Sequence, residues 1–202
     1  MISPSQIADA LHTAGWCLVP GYLDASQCDA LRADLAAHRD QLRPAGIGRA
    51  GNHRRAGEIR RDETLWLTGG TAPQQELLAA MEALRVELNF ELQLGLFDYE
   101  AHYARYAPGA FYRRHLDAFR GGSNRRLSTV FYLNRDWRED DGGELVLWDA
   151  EGRFLAEVLP HDGTALFFLS EIFPHEVLPA RRERLSIAGW FRVNSGPLPG
   201  MD

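Results

Sequence analysis

The second half of the chain, from residue 99 onward, is a succession of short β-rich runs, and this feature limits the possible folds more than any other. Turn-forming residues in GGSN, DDGG, AEG and HDG separate the runs, because glycine, asparagine and aspartate tolerate the backbone angles of tight turns. Several short strands at this spacing predict an antiparallel sandwich or barrel. The expected strands are Tyr99–Tyr106, Leu127–Asn134, Glu144–Trp148, Phe154–Leu159, Thr164–Leu169, His175–Leu178 and Leu185–Val193.

The first half has helical periodicity instead. Ser3 followed by Pro4 is typical of a helix start, with serine as the cap and proline at the first helical position. Asp24 is a second cap, and residues 73–95 carry the strongest helical signal, with leucines and a methionine at helical spacing. The predicted elements are helices at 4–14, 25–42 and 73–95 and a strand at Trp16–Pro20. We expect one α+β domain over residues 1–202, in which helices at about 1–95 support a β core at about 96–195.

Composition narrows the class of protein. The 202 residues carry a formal net charge of −6, which disfavours a general nucleic-acid binder, and all 22 basic residues are arginine, a bias typical of GC-rich bacterial genomes. Cys17 and Cys28 are too few for a disulfide framework. No signal peptide opens the chain, and no apolar stretch approaches the ~18 residues of a membrane span. We therefore expect a soluble, cytoplasmic protein without nucleic-acid or membrane partners.

Candidate metal ligands occur in two places in the β-rich half. In FYRRHLDAF, His115 and Asp117 are two positions apart, so on an extended strand both side chains point to the same face. Taken alone, this pair is either a metal site or an ordinary satisfied polar pair. His175, in FPHEVLP, lies between apolar neighbours and needs either a hydrogen-bond partner or a metal, whereas His161, in PHDG, is expected on a surface turn. Two histidines and one carboxylate form the facial triad that suits non-haem Fe(II) oxygenases.

An arginine follows in the run RRERLSIAGWF. Alternation places Arg184 and Ser186 on the same face of the predicted strand. An arginine beside a small hydroxyl residue within a β-run is typical of anion recognition, and the alternative is a rim arginine paired with a nearby carboxylate.

The order of these elements resembles the Fe(II)/2-oxoglutarate dioxygenases, and more narrowly the prolyl 4-hydroxylases of the oxygen-sensing type and their bacterial relatives. The resemblance covers about residues 55–193. It is carried by H-x-D, the later histidine and R-x-S, and by the segments YAPGAFYRRHLD, STVFYLNRDW, GGELVLW, FFLSEIFPHEVLPA and RLSIAGWF. It implies a double-stranded β-helix, or jelly roll, supported by N-terminal helices.

Carried over position by position, the resemblance assigns three groups of residues. The implied iron ligands are His115, Asp117 and His175. The implied 2-oxoglutarate contacts are Arg184, Tyr132, Tyr106, Ser186 and Trp190. The implied substrate contacts are Arg125, Arg60, Asp62 and Trp190. Arg184 would pair with the distal carboxylate of 2-oxoglutarate, and Tyr132 would donate its hydroxyl to the same group.

The resemblance also implies the reaction. Fe(II), 2-oxoglutarate and O₂ would support hydroxylation of a prolyl residue at its 4-position in a protein loop, with succinate and CO₂ as co-products and ascorbate as a possible reductant. Family members of this kind act on transcription-factor, ubiquitin-ligase-subunit or, in bacteria, translation-elongation-factor prolines. The alternatives are a small-molecule hydroxylase on the same scaffold and a non-catalytic 2-oxoglutarate sensor. We expect a monomer.

Residues 44–62 form a further candidate substrate element. This segment is rich in arginine and glycine, which fits either a solvated surface loop or a substrate-binding segment. Its last residues belong to IRRDETLW, which resembles the family's mobile substrate loop. We expect the segment to be mobile in the free enzyme and to order over a bound peptide.

Overall fold

The computed structural model describes residues 2–46, 56–118 and 123–194. Four helices occur in the described residues: α1 (Pro4–Ala14), α2 (Ala25–Ala37), α3 (Ala56–Ile59) and α4 (Ala72–Leu92). The strands of the first half are β1 (Trp16–Val19), β2 (Arg43–Pro44) and β3 (Asp62–Trp66). Those of the second half are β4 (Leu96–Tyr106), β5 (Tyr112–His115), β6 (Arg125–Tyr132), β7 (Leu145–Trp148), β8 (Phe154–Val158), β9 (Ala165–Leu169), β10 (His175–Val177) and β11 (Arg184–Val193).

The strands form two antiparallel sheets. The larger has seven strands in the order β1-β9-β6-β11-β4-β3-β2, and the smaller has four in the order β5-β10-β7-β8. Apolar side chains from both sheets share one buried cluster, in which Tyr132 and Phe168 of the larger sheet meet Leu145 and Leu147 of the smaller one. Two antiparallel sheets packed on a common core are the jelly roll, so the predicted α+β double-stranded β-helix is confirmed.

The helices cover the other face of the larger sheet. Leu77, Met81, Leu84 and Leu88 recur at helical spacing along α4 and are all buried against that sheet. Successive residues of a strand point to opposite faces. Ala101 and Tyr103 of β4 therefore enter the helix-covered core, whereas His102, which lies between them, faces the smaller sheet. The helices therefore stabilise one face and leave the opposite face for the site.

Local signals define the first two helices as predicted. Ser3 accepts a hydrogen bond from the backbone N–H of Gln6, and the Gln6 side chain accepts one from the backbone N–H of Ser3. Asp24 and Gln27 form the same reciprocal arrangement at α2. Each capping box satisfies N–H groups that have no partner within the helix. The described residues contain no helix with the length and apolarity needed to cross a membrane.

One predicted boundary was wrong. The second helix was expected to reach about Leu42 but ends at Ala37, where the chain turns into a short 3₁₀ segment, Arg39–Gln41. The segment IRRDETLW, which resembles the family's mobile substrate loop, contains β3, and Asp62–Trp66 pair with β4 in register Asp62 to Tyr106 and Trp66 to His102. Pairing with a strand so distant in the chain leaves no local pattern to detect.

A buried carboxylate ties the helical layer to the sheet. Asp34 of α2 is 7% exposed and accepts hydrogen bonds from the Gln74 side chain at 2.9 Å and the Tyr103 hydroxyl at 2.7 Å. Burial by itself would raise the pKa of Asp34, but these hydrogen bonds and the nearby His38 outweigh it, so the pKa lies below its usual value. The ionised carboxylate therefore satisfies polar groups from α4 and β4 at once.

We predict that Asp34→Ala lowers the free energy of unfolding by about 2–4 kcal/mol, since it leaves two buried donors without an acceptor. Because the folded-state pKa of Asp34 is depressed, its contribution is complete above the ordinary aspartate pKa of about 4 and is lost as the pH falls through the folded-state value. Urea unfolding at several pH values measures both effects. Asp9→Ala, at an exposed site on α1, is the control; a difference between the two variants that does not shrink in acid would contradict the assignment.

Candidate metal and cosubstrate site

The two sheets bring three metal-ligating side chains together at one point. His115 is the last residue of β5, His175 is the first residue of β10, and the antiparallel register places them opposite each other. Asp117 follows two residues after the end of β5, in a bend and not on the strand itself as the spacing had predicted. One ligand atom from each of the three residues lies within 4.8 Å of the others.

Hydrogen bonds orient each of these side chains. The Nδ1 atoms of His115 and His175 lie 2.8 and 3.2 Å from the backbone carbonyls of Arg113 and Phe173. A carbonyl oxygen only accepts, so both Nδ1 atoms carry the proton and both Nε2 atoms present a lone pair. Each Nε2 atom lies 3.6 Å from an oxygen of Asp117. This arrangement turns all three donor atoms toward the same space.

The carboxylate is held from behind by a serine that sequence reasoning did not single out. Ser128 Oγ donates to Asp117 Oδ2 at 2.7 Å and also lies 2.9 Å from Ser170 Oγ. Burial would raise the pKa of Asp117, but the adjacent histidines and the Ser128 hydroxyl lower it well below its usual range. Burial, and then the charge of His115, lowers the pKa of His175 to about 4. An ionised carboxylate and a neutral imidazole are the forms that bind a metal.

These donors fit a divalent iron. Two imidazole nitrogens and one carboxylate oxygen occupy one side of an ion and leave positions free on the other, as in facial-triad Fe(II) oxygenases. The described residues offer no fourth histidine, cysteine or acidic ligand in this cluster. His161, predicted to be a surface residue, is exposed in its turn and takes no part in the cluster.

Arg184, a buried cation, lies on the larger sheet. Arg184 is 1% exposed, and its guanidinium donates to the Gly143 carbonyl at 2.8 Å and to Ser186 Oγ at 3.1 Å. The guanidinium carbon lies 5.0 Å from the ring of Tyr106 and 5.2 Å from the ring of Tyr132. Among the described residues, no carboxylate lies within ion-pair distance of Arg184. The alternative interpretation, a rim arginine paired with a carboxylate, does not agree with this geometry.

Two polar atoms in this pocket have no partner. The Arg184 Nη2 atom and the Tyr132 hydroxyl are both buried without a hydrogen bond to any described residue. Burial also raises the pKa of Tyr132 to about 12, so its hydroxyl keeps the proton and can donate. An unpaired buried charge is expensive unless an ion of opposite sign binds it. The pair therefore fits one carboxylate, which would accept from both donors.

An aromatic wall borders the metal cluster on the larger sheet. Trp190 of β11 lies opposite Ser128 of β6 in the strand register. The guanidinium carbon of Arg125 lies 3.5 Å from the centre of the Trp190 ring, and Glu100 holds that arginine through hydrogen bonds at 2.8 and 3.1 Å. Trp66 lies 6.4 Å from Trp190, centre to centre, and is 48% exposed. The structure thus brings together Arg125 and Trp190, two of the implied substrate contacts.

Arg60 and Asp62 lie close to each other and to a metal-ligand candidate. Two hydrogen bonds, at 2.7 and 2.6 Å, join their side chains, and the Asp62 side chain is fully buried. Arg60 also packs 4.2 Å from the ring of Tyr112, which stacks on His115 at 3.5 Å and 15°. The implied substrate contacts therefore form an internal ion pair that supports the His115 ring. Residues 47–55 of the candidate substrate element lie outside the described residues.

Comparison with known proteins agrees with this geometry. Residues 101–192 match the 2OG-Fe(II) oxygenase superfamily. The chain is 29% identical over 203 residues to the prolyl hydroxylase EGLN3 of Mus musculus. The alignment covers 94% of this chain and 83% of the mouse protein. It superposes on the crystal structure of a Pseudomonas putida prolyl-4-hydroxylase with a TM-score of 0.85 and 41% identity, covering 96% of this chain and all of the other.

A third similarity concerns the fold alone. A prolyl hydroxylase from Trichoplax adhaerens, solved with a peptide fragment of the hypoxia-inducible factor oxygen degradation domain, superposes with a TM-score of 0.83 at 24% identity. The match covers 94% of this chain and 88% of that one.

Fold, donor set and superfamily match together define an Fe(II)- and 2-oxoglutarate-dependent oxygenase, an enzyme class that also requires O₂. Within that class the chain belongs to the prolyl hydroxylase family.

We predict that Ser128→Ala weakens divalent-metal binding by about 10- to 100-fold, because the loss of a hydrogen bond that orients a ligand typically costs this much affinity. Calorimetric titration with Mn(II) in the absence of O₂ measures the affinity directly. Thr129→Val is the matched control, since Thr129 is the next residue of β6 and its hydroxyl lies 2.7 Å from that of Tyr99 on the opposite face. Equal metal affinity in the two variants would exclude the positioning role of Ser128.

Proposed function

We propose that this protein hydroxylates a prolyl residue at its 4-position within a protein substrate. One observation carries the proposal: a His-Asp-His donor cluster lies at the smaller sheet, and a buried arginine with no carboxylate partner among the described residues lies on the larger sheet. The first feature suits Fe(II) and the second suits the distal carboxylate of 2-oxoglutarate. The membership of the chain in the prolyl hydroxylase family supports the prolyl target.

In this proposal His115, Asp117 and His175 hold the iron. When bound, iron together with 2-oxoglutarate and O₂ supplies the oxidising chemistry, which converts 2-oxoglutarate to succinate and CO₂ and hydroxylates the substrate C–H bond. The protein keeps both histidine Nε2 atoms unprotonated through the carbonyls that accept from Nδ1. It thereby presents three fixed donors on one side of the site.

Arg184 and Tyr132 orient the cosubstrate. The Nη2 atom of Arg184 and the hydroxyl of Tyr132 donate to the distal carboxylate, and both hydrogen bonds are strong because the acceptor is charged. Gly143 and Ser186 fix the guanidinium before the cosubstrate arrives. Tyr106, whose ring lies beside the guanidinium, closes the pocket and excludes water. Such preorganisation reduces the entropy that is lost on binding.

We propose that the substrate reaches the site along the wall that Trp190, Arg125 and Trp66 form. Trp66 is half-exposed, and the Arg125 guanidinium, paired with Glu100, covers the Trp190 ring. The Trichoplax relative was solved with a peptide bound, which supports a peptide as the ligand class. Following the family's bacterial members, our candidate target is a proline in a loop of a translation elongation factor.

Three further features belong to the proposal. Cys17 and Cys28 are free and buried, which agrees with a reducing cytoplasm. Ascorbate as the reductant and a monomeric state follow from the resemblance alone. The proposed hydroxylation reaction does not depend on which protein is the target or on these three features.

We predict that Arg184→Ala weakens 2-oxoglutarate binding by about 2–5 kcal/mol, as expected when a buried charge loses its partner. Tyr132→Phe removes one hydrogen bond to a charged group and should cost roughly 1.5–3 kcal/mol. Arg184→Lys should recover only part of the loss, because lysine lacks the planar fork. Titration of the Mn(II)-loaded variants with 2-oxoglutarate measures these effects, with the half-exposed Arg126→Ala as control. An equal loss of metal and 2-oxoglutarate affinity in every variant would indicate misfolding instead.

We predict that a purified bacterial translation elongation factor, incubated with the protein, Fe(II), 2-oxoglutarate and ascorbate, gains one oxygen on a loop proline. Mass spectrometry of the digested target locates the added mass, and replacement of that proline by alanine should abolish the gain. A protein fraction of cell lysate, treated in the same way, extends the search to other targets. Oxygen gain only on free metabolites would favour the small-molecule hydroxylase, and 2-oxoglutarate binding with no turnover would favour the sensor.

A further inference from the structure

His102, at the centre of the aromatic wall, has no role in the chemistry described above. Its ring lies 5.1 Å from that of Trp66 at an angle of 84° and 5.4 Å from that of Trp190 at 56°. It is 5% exposed, and strand alternation directs it to the same face of β4 as Tyr106. A polar ring enclosed by two tryptophans is an unusual use of histidine, since an apolar residue would pack there without any unsatisfied atom.

The hydrogen bonds of His102 fix which nitrogen carries the proton. The Nδ1 atom lies 3.0 Å from the carbonyl oxygen of Tyr103, which only accepts, so Nδ1 is the donor. Burial and then the charge of Arg60 lower the pKa of His102 to about 4, against the raising effects of the Tyr103 carbonyl and of Asp62. The ring is therefore neutral at neutral pH. Its Nε2 atom is a hydrogen-bond acceptor, and no described residue donates to it.

The strand register connects this acceptor to the metal cluster through two intervening side chains. His102 lies opposite Ala188 of β11, and Trp190, two residues along the same face of that strand, lies opposite Ser128 of β6. Ser128 in turn donates to the metal-ligand candidate Asp117. Three neighbouring strands thus carry a continuous row of side chains from Asp117 to His102. The half-exposed Trp66 closes the outer end of this row toward solvent.

Resting on the proposed function, we propose that His102 is a specificity-determining residue, whose Nε2 atom accepts a hydrogen bond from a backbone N–H of the substrate peptide beside the target proline. A prolyl residue within a chain has no N–H of its own. A site that positions proline by main-chain recognition must therefore read the amides of the neighbouring residues. A neutral acceptor on the wall, two side chains away from Asp117, provides this contact, and flanking side chains of the peptide pack against Trp66.

Two variants separate the acceptor from the packing. His102→Phe keeps an aromatic ring between the tryptophans but removes the acceptor, and His102→Gln restores an acceptor without the ring. The probe is the best substrate among short synthetic peptides, each with one proline at its centre. We expect His102→Phe to raise the KM for this peptide by about 5- to 10-fold, the effect of one hydrogen bond. We expect His102→Gln to recover part of that loss, and His161→Phe, at an exposed turn, to leave the KM unchanged.

A change in the peptide tests the same bond from the other side. Replacing the N–H of the residue before the proline, and separately that of the residue after it, by an ester oxygen removes one N–H and leaves the side chains in place. One of these esters should raise the KM of the unmodified enzyme as much as His102→Phe does, and should have no further effect on that variant. Additive effects, or an unchanged KM in His102→Phe, would overturn the assignment of His102. Failure of the unmodified enzyme to hydroxylate any peptide would overturn the proposed function itself, and this inference with it.

Discussion

The antiparallel pairing of β10 with β5 is the interaction on which the rest of the site depends. It sets His175 directly opposite His115, although the two residues are far apart in the chain. A shift of the register by one residue would turn one of the two rings to the other face of the smaller sheet. The carbonyls of Arg113 and Phe173 add a second constraint, because they fix the tautomer that a metal requires. The register brings the two imidazole rings together, and the tautomer leaves each Nε2 atom free to bind a metal.

The larger sheet separates stability from chemistry by its two faces. One face packs against α1, α2 and α4 and contains Tyr103, Phe131 and Phe167, all fully buried. The opposite face carries Arg184, Ser186, Ala188 and Trp190, at every second position of a single strand, β11. Three buried donors on this inner face, Arg184 Nη2, the Tyr132 hydroxyl and Trp190 Nε1, have no acceptor among the described residues. The same long strand thus joins the cosubstrate pocket to the aromatic wall.

Sequence reasoning could reach the parts of this structure that rest on local patterns. Ser3 and Pro4 marked the start of α1, and the alternation after Arg184 correctly placed Ser186 on the same face. The predicted iron ligands do lie together, although Asp117 lies beyond its strand. Contacts between strands far apart in the chain had no such signal, as β3 shows. Ser128 could have been found from its position four residues before Tyr132 on one face of β6, whereas the enclosure of His102 by two tryptophans required the tertiary structure.

The unpaired groups around Arg184 have a consequence for the whole molecule. A cation enclosed at 1% exposure without a counter-ion makes the ligand-free fold less stable than its packing alone would allow. A dicarboxylate that binds only the native state removes this deficit, and by mass action its stabilisation grows with the logarithm of its free concentration above the dissociation constant. Under the proposed function, the melting temperature of this protein therefore rises with the supply of 2-oxoglutarate around it.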